Sequence, residues 1–201
     1  MKLKKEYVLP TETFMSGWYI HKKVCSDLIT FFEKKNELGH TKRGAIKFQN
    51  HRDASLNLEI KDSIDLAISP FDQDPEIISY LKCLQFCLNE YVKKYPEINS
   101  LNKFSITENI NLQYYKKGGG YKKFHSERGS KGEVAKRILV FMTYLNDVEN
   151  GGTEFKYQNL VTPAQRGLTL IWPSEWMHTH RSQVSFTKNK YIITGWFNYL
   201  D

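Results

Sequence analysis

The sequence predicts an α+β fold, in which an antiparallel β-sandwich or jelly roll is supported on its outside by two helices. Two observations carry this expectation. Apolar residues recur at helical spacing twice before residue 100, and from about residue 104 the chain turns into short β-rich runs separated by glycines. No internal repeat and no Pro- or Ser-rich linker divides the 201 residues. Residues 1–103 therefore read as N-terminal helices and sheet-edge segments, and 104–201 as the jelly-roll core of the same domain.

The elements follow in order. Val24, Leu28, Phe31 and Phe32 fall at helical spacing across residues 22–35, and Gly39 lies beyond the charged end, which predicts an amphipathic helix. Residues 40–73 have no clear period and read as sheet edge and surface loops, with short candidate strands at 56–60 and 64–68. A second helix opens at Asp74-Pro75, where a capping residue meets a first-turn proline. Ile77, Leu81, Leu84, Leu88 and Val92 then form one stripe as far as Tyr95-Pro96. Strands are expected at 106–115, 137–145, 168–172 and 191–199, rich in β-branched and aromatic residues.

With 40% hydrophobic and 14% aromatic residues, the chain can bury a substantial core. Lys and Arg outnumber Asp and Glu by 29 to 22, for a formal charge of +7. That excess is compatible with a nucleic acid or an anionic cosubstrate, although the lysines are scattered as on a solvated surface. The charged N-terminus has no apolar run behind it, and no stretch approaches the roughly 20 apolar residues of a membrane span. The expectation is a soluble cytoplasmic protein with no membrane partner. Cys25, Cys83 and Cys87 contain no C-x-x-C pair, which argues against a disulfide framework or a zinc site and for packed, reduced thiols.

The chemistry concentrates in the second half. His125 and Glu127 are one residue apart, so on an extended strand both side chains project from one face and can grip a single ion. Two imidazoles and one carboxylate suit a non-haem Fe(II) centre with open positions. His178 and His180 are both candidates for the second imidazole. The spacing from His180 to Lys190 favours His180, because a cation in the next antiparallel strand could pair with the far carboxylate of a dicarboxylate chelating the metal. His21, His40 and His51 lie outside every motif and read as surface or core, and Trp18 and Trp172 as packing residues.

Several ordered motifs carry a resemblance over roughly residues 104–199. They are Tyr115-x-x-Gly-Gly-Gly-Tyr-x-x-Phe-His-x-Glu127, then Arg137 to Val148, then Gly151-Gly-Thr-Glu-Phe155, and finally His180, Lys190 and Trp196. Together they resemble the prolyl 4-hydroxylase branch of the 2-oxoglutarate and Fe(II)-dependent dioxygenases, and the glycine run is similar to that of compact marine bacterial and phage members.

The resemblance implies a double-stranded β-helix of cupin type and a dioxygenase core at 104–201. It implies His125, Glu127 and His180 as iron ligands, Lys190 and Tyr144 on the 5-carboxylate of 2-oxoglutarate, and Tyr115 lining the cosubstrate pocket. Arg137 and Trp196 fall where prolyl hydroxylases contact the peptide around the target proline. The implied reaction consumes O2 and 2-oxoglutarate, releases succinate and hydroxylates a prolyl residue of a protein or peptide, with ascorbate as reductant. Lys190 stands where nucleic-acid demethylases carry arginine, which disfavours a nucleic-acid substrate. A free amino acid or another side chain as substrate, or a non-catalytic binding module, are the competing readings. The sequence departs from the family pattern at Glu127, usually Asp, at Lys188, usually Gly, and at Val184, usually Pro. The polar segment 128–132, with two glycines, is expected to form a lip over the substrate.

Overall fold

Period-two alternation after residue 104 resolves into strands, and the two apolar stripes into helices. The structure, a computed structural model, describes residues 5–45 and 55–200, so His51 and residues 1–4 lie outside the described residues. The first half contains β1 (Glu6–Tyr7), β2 (Ser16–Tyr19), α1 (Lys22–Glu37), β3 (Lys42–Arg43), β4 (Lys61–Asp62), β5 (Ile64–Ile68) and α2 (Pro75–Lys94). There follow β6 (Phe104–Ser105), β7 (Ile110–Tyr115), β8 (Gly120–Tyr121), α3 (Glu133–Lys136) and β9 (Arg137–Tyr144). The chain ends with β10 (Val148–Phe155), β11 (Leu160–Ala164), β12 (Leu168–Pro173), β13 (His180–Ser182) and β14 (Lys190–Tyr199).

Among the described residues the largest sheet has nine strands in the order β1-β2-β12-β9-β14-β7-β5-β3, with β6 also paired to β14. Its pairs are antiparallel. The smaller groups are β11-β10-β13 and β4-β8, and His125 bridges antiparallel onto His180 at the start of β13. This is a double-stranded β-helix.

The alternation of each strand feeds two cores. Phe141 of β9 and Ile193 of β14 face a cluster shared with Leu28, Phe32, Leu84 and Cys87 of the helices. Val140, Met142, Tyr144 and Ile192 face the other way and pack with Phe155, Leu170 and Trp172 inside the roll. The helices therefore back the large sheet, as expected. Cys25, Cys83 and Cys87 are buried thiols of this backing layer, and burial pushes the Cys25 and Cys87 thiols up to about 12.

Three local expectations are corrected. Residues 56–60 form no strand: the N–H groups of Ile60 and Lys61 both bond the Asn57 carbonyl, closing a turn that delays β4 to Lys61. The strand expected at 106–115 begins at Ile110, and the chain before it pairs only at Phe104–Ser105. Asp74 stands before the first turn of α2 but makes no side-chain cap. Its carbonyl accepts from Ile77 and Ile78, while its carboxylate pairs with Lys35 of α1 at 3.1 Å and ties the two helices together.

Candidate metal centre

A cavity of about 310 Å³ opens inside the roll. Period two explains much of its wall. Lys190, Ile192, Thr194 and Trp196 line it from β14, and Asn111, Gln113 and Tyr115 from β7. Strict alternation would send Arg137 toward the helices with Phe141. The β9–β14 register instead pairs Leu139 with Phe197 and Arg137 with Asn198, so Ile138 is an extra residue and the bulge turns Arg137 into the cavity.

His125, Glu127 and His180 meet at the cavity, with one potential donor atom from each lying within 4.8 Å of the others. Backbone pairing fixes the two histidines: His125 N–H donates to the His180 carbonyl at 3.0 Å, and His180 N–H to the His125 carbonyl at 2.9 Å. Each Nδ1 is directed to a backbone carbonyl, Lys123 O at 3.0 Å for His125 and His178 O at 2.8 Å for His180. With Nδ1 as the donor, both Nε2 lone pairs point inward, at 3.3 and 3.5 Å from Glu127 Oε1. Burial lowers the His180 pKa and favours its neutral form. Burial would raise the Glu127 carboxyl, but hydrogen bonds and charge from the imidazoles when they carry a proton on Nε2, the proton a cation would displace, outweigh it and hold it well below the usual carboxylate range. Convergent lone pairs from two imidazoles and a carboxylate are a donor set that a divalent cation satisfies, so these residues fit a ferrous ion.

Aromatic rings fix the histidines further. Tyr121 stacks on His125 with centroids 3.7 Å apart and planes at 18°. Trp172 and Phe155 lie 5.2 and 5.4 Å from the His180 ring.

Lys190 is only 3% exposed. Its ammonium donates to Ser182 Oγ at 2.6 Å and to the carbonyls of Gly151 and Gln183 at 2.7 and 3.0 Å. No carboxylate pairs with it among the described residues, and desolvation lowers its pKa to about 7. Tyr144 lines the same cavity and its hydroxyl meets Thr153 Oγ1 at 2.6 Å and Thr162 Oγ1 at 3.1 Å. Tyr115 donates to Gln113 Oε1 at 2.7 Å, and its ring centroid is 5.4 Å from the Lys190 ammonium.

Arg137 and Trp196 are brought together with Glu127. The Arg137 guanidinium lies 3.5 Å from the Trp196 ring centroid, and Trp196 Nε1 donates to Glu127 Oε2 at 3.0 Å. His178 is not brought to the cluster. It sits in a 3-10 turn with Nε2 at 2.8 Å from the Thr13 carbonyl.

The glycine run has a steric reason: Gly118 has φ +79°, and a Cβ on Gly119 would come within 2.7 Å of the Asp62 carbonyl oxygen. Sequence reasoning missed Gln113, Thr153, Lys61 and Tyr121 of the cavity wall. Two of them had a signal: Tyr121 stands four residues before His125 in the first quoted motif, and Thr153 lies within the quoted Gly151 to Phe155 run.

Residues 110–198 match the profile of the family described as the 2OG-Fe(II) oxygenase superfamily. No curated protein matches the chain. Among solved structures it is similar to a Pseudomonas putida prolyl-4-hydroxylase, with TM-score 0.70 and 15% identity over 92% of this chain and 93% of that one. It is also similar to the viral collagen prolyl hydroxylase vCPH of Paramecium bursaria Chlorella virus-1 in its 2OG complex, with TM-score 0.68 and 16% identity over 93% of this chain and 97% of that one. A third likeness is to a Trichoplax adhaerens prolyl hydroxylase in complex with a hypoxia inducible factor oxygen degradation domain peptide fragment. There the TM-score is 0.69 and identity 17%, over 93% of this chain and 84% of that one.

Proposed function

We propose that this 2OG-Fe(II) oxygenase, prolyl 4-hydroxylase-like in fold, hydroxylates a prolyl residue of a peptide or protein while 2-oxoglutarate becomes succinate and CO2. The observation that carries the reading is Lys190, a buried cation without a carboxylate partner among the described residues, lining the same cavity as the convergent His125, Glu127 and His180. A dicarboxylate is the ligand that such a cavity completes, with one end at the metal and the other at the lysine.

In this reading His125, Glu127 and His180 hold the iron, Lys190 pairs with the 5-carboxylate beside Tyr144, and Tyr115 forms part of the cosubstrate wall. Bound ferrous iron, with O2, supplies the oxidising power that C–H hydroxylation needs. Ascorbate is the reductant proposed to keep it ferrous. The side chains bind, orient and exclude water: Trp172 and Phe155 brace His180, and Ile192 and Met142 give the cavity apolar wall. The turn at 128–132, tied by Arg128 N–H to Ser174 O at 3.0 Å and Gly129 N–H to Val134 O at 3.1 Å, is the proposed lip.

A prolyl substrate is favoured by the position of Arg137 and Trp196 on the cavity wall and by likeness in fold to prolyl hydroxylases. The test is incubation of anaerobically purified protein with Fe(II), ascorbate, 2-oxoglutarate and a panel of proline-containing peptides under O2. Succinate formed in step with the gain of one oxygen atom on proline is the expected result. Turnover of a free amino acid or alkylated DNA with none on prolyl peptides would replace the substrate. No succinate from iron-loaded protein would leave a binding module.

A further inference from the structure

Glutamate at position 127 is one methylene longer than the aspartate usual in the resembling family. A flexible, longer carboxylate can offer a metal both oxygens. Six-coordinate iron held by two imidazoles and one carboxylate oxygen keeps three positions, two for a chelating 2-oxo acid and one for O2. A two-oxygen carboxylate would leave only two.

The two oxygens of Glu127 are divided between different partners. Oε1 faces the histidines, at 3.3 Å from His125 Nε2 and 3.5 Å from His180 Nε2. Oε2 accepts the indole N–H of Trp196 at 3.0 Å and lies 3.5 Å from Arg137 Nη1. The same Nη1 donates to the Glu127 backbone carbonyl at 3.0 Å, so one guanidinium grips both ends of the residue.

The clamp is itself held rigidly. Glu108 takes Arg137 Nε at 2.8 Å and Nη2 at 2.6 Å in a two-pronged ion pair, and Asn198 donates to Glu108 at 2.8 Å. The guanidinium carbon sits over the Trp196 ring, 3.5 Å from its centroid. Both donors therefore reach Glu127 Oε2 with little freedom left to lose.

We infer that Trp196 and Arg137 are positioning residues that confine Glu127 to one-oxygen ligation and so keep three metal positions available despite the longer side chain. This rests on the reading of His125, Glu127 and His180 as the ferrous centre. It gives Trp196 and Arg137 a role distinct from contact with a peptide, and makes that role specific to glutamate at position 127.

The test is a double-mutant cycle of Trp196→Phe with Glu127→Asp, read on Co(II)-loaded protein without turnover. Co(II) d–d absorption reports coordination, and titration of the 2-oxoglutarate-saturated protein with azide, which needs one position, reports whether a third position is free. Trp196→Phe keeps the ring on Arg137 and removes only the indole N–H. In the glutamate background it should change the d–d spectrum and weaken azide binding to the 2-oxoglutarate complex roughly tenfold, in keeping with loss of a hydrogen bond to a charged group. In the Glu127→Asp background the same substitution should change neither.

Arg137→Lys, which keeps the charge and removes the two-pronged contact, provides a second variant and should follow the same pattern. An unchanged Co(II) spectrum and azide affinity on Trp196→Phe, or equal changes in both backgrounds, would overturn the inference alone. Failure of the unmodified protein to bind Co(II) would overturn the ferrous reading and this inference with it.

Discussion

His125 and His180, 55 positions apart in sequence, exchange both backbone hydrogen bonds of an antiparallel bridge. The sheet, more than any loop, thus sets the spacing of the two imidazoles. Glu127 is placed by the same run of backbone, its N–H on the Ser174 carbonyl at 3.2 Å.

Because the three donors are held in place before any cation arrives, metal should stabilise the fold as well as occupy the site. Saturation with Co(II) at about 100 times its dissociation constant should add about 2.7 kcal/mol to unfolding free energy. His180→Ala should abolish that gain in a thermal melt. An equal shift in both proteins would place the ion elsewhere.

Lys190→Met has two opposite expected effects. Removing the cation that receives a carboxylate should cost about 2–5 kcal/mol of 2-oxoglutarate binding, as for other buried charge pairs. The unliganded protein should nevertheless be no less stable, since the native ammonium is 3% exposed and without a counter-charge among the described residues. Isothermal titration and denaturant unfolding of one preparation check both.

The pH dependence follows with a definite sign. Free Lys190 has a pKa of about 7 against an ordinary value of 10.5, because burial disfavours its charged form. Between those values the unfolded chain binds more protons than the native one at this site, so this site's contribution to stability rises with pH. Cosubstrate binding runs the other way, because a paired lysine must be protonated. Affinity should fall by up to about tenfold per pH unit above 7, with proton uptake on binding. Titrations in buffers of differing ionisation enthalpy measure that uptake, and release in place of uptake would refute the assignment.

Arg137→Ala should destabilise the protein by about 3 kcal/mol, as it strands the Glu108 carboxylate, whose side chain is 19% exposed. Burial raises the Glu108 pKa, but hydrogen bonds from Arg137 and Asn198 and the Arg137 charge leave it lowered. Adding Glu108→Gln should recover much of the loss in urea unfolding. No recovery would mean that Arg137 acts through contacts other than Glu108.

The parts of this site that were legible in the sequence are those governed by local spacing. His125 and Glu127 share a short motif, and Lys190 and Trp196 share a face because period two persists through β14. What escaped depends on register and distance. The Ile138 bulge that turns Arg137 inward exists only in the pairing of β9 with β14. Glu108 and Lys61 reach the site from irregular chain and a two-residue strand, where no periodicity marks a face. Strand β2 was likewise hidden, being four residues long with Gly17 inside it, and it forms by pairing with β12. Spacing to Lys190 favoured His180 over His178 in the sequence, and the 3-10 turn Trp176–His178 is what carries His178 away from the cluster.

The central claim is that the cluster of His125, Glu127 and His180 and the buried ammonium of Lys190 form one site for Fe(II) and 2-oxoglutarate. The most direct measurement is an anaerobic titration of Fe(II)-loaded protein with 2-oxoglutarate, followed by the visible charge-transfer absorption of the chelated 2-oxo acid. The band should saturate at one equivalent, disappear in His180→Ala, and require at least about thirty times more 2-oxoglutarate in Lys190→Met, the lower bound of losing a buried charge pair. Iron-loaded protein that develops no band would contradict the account.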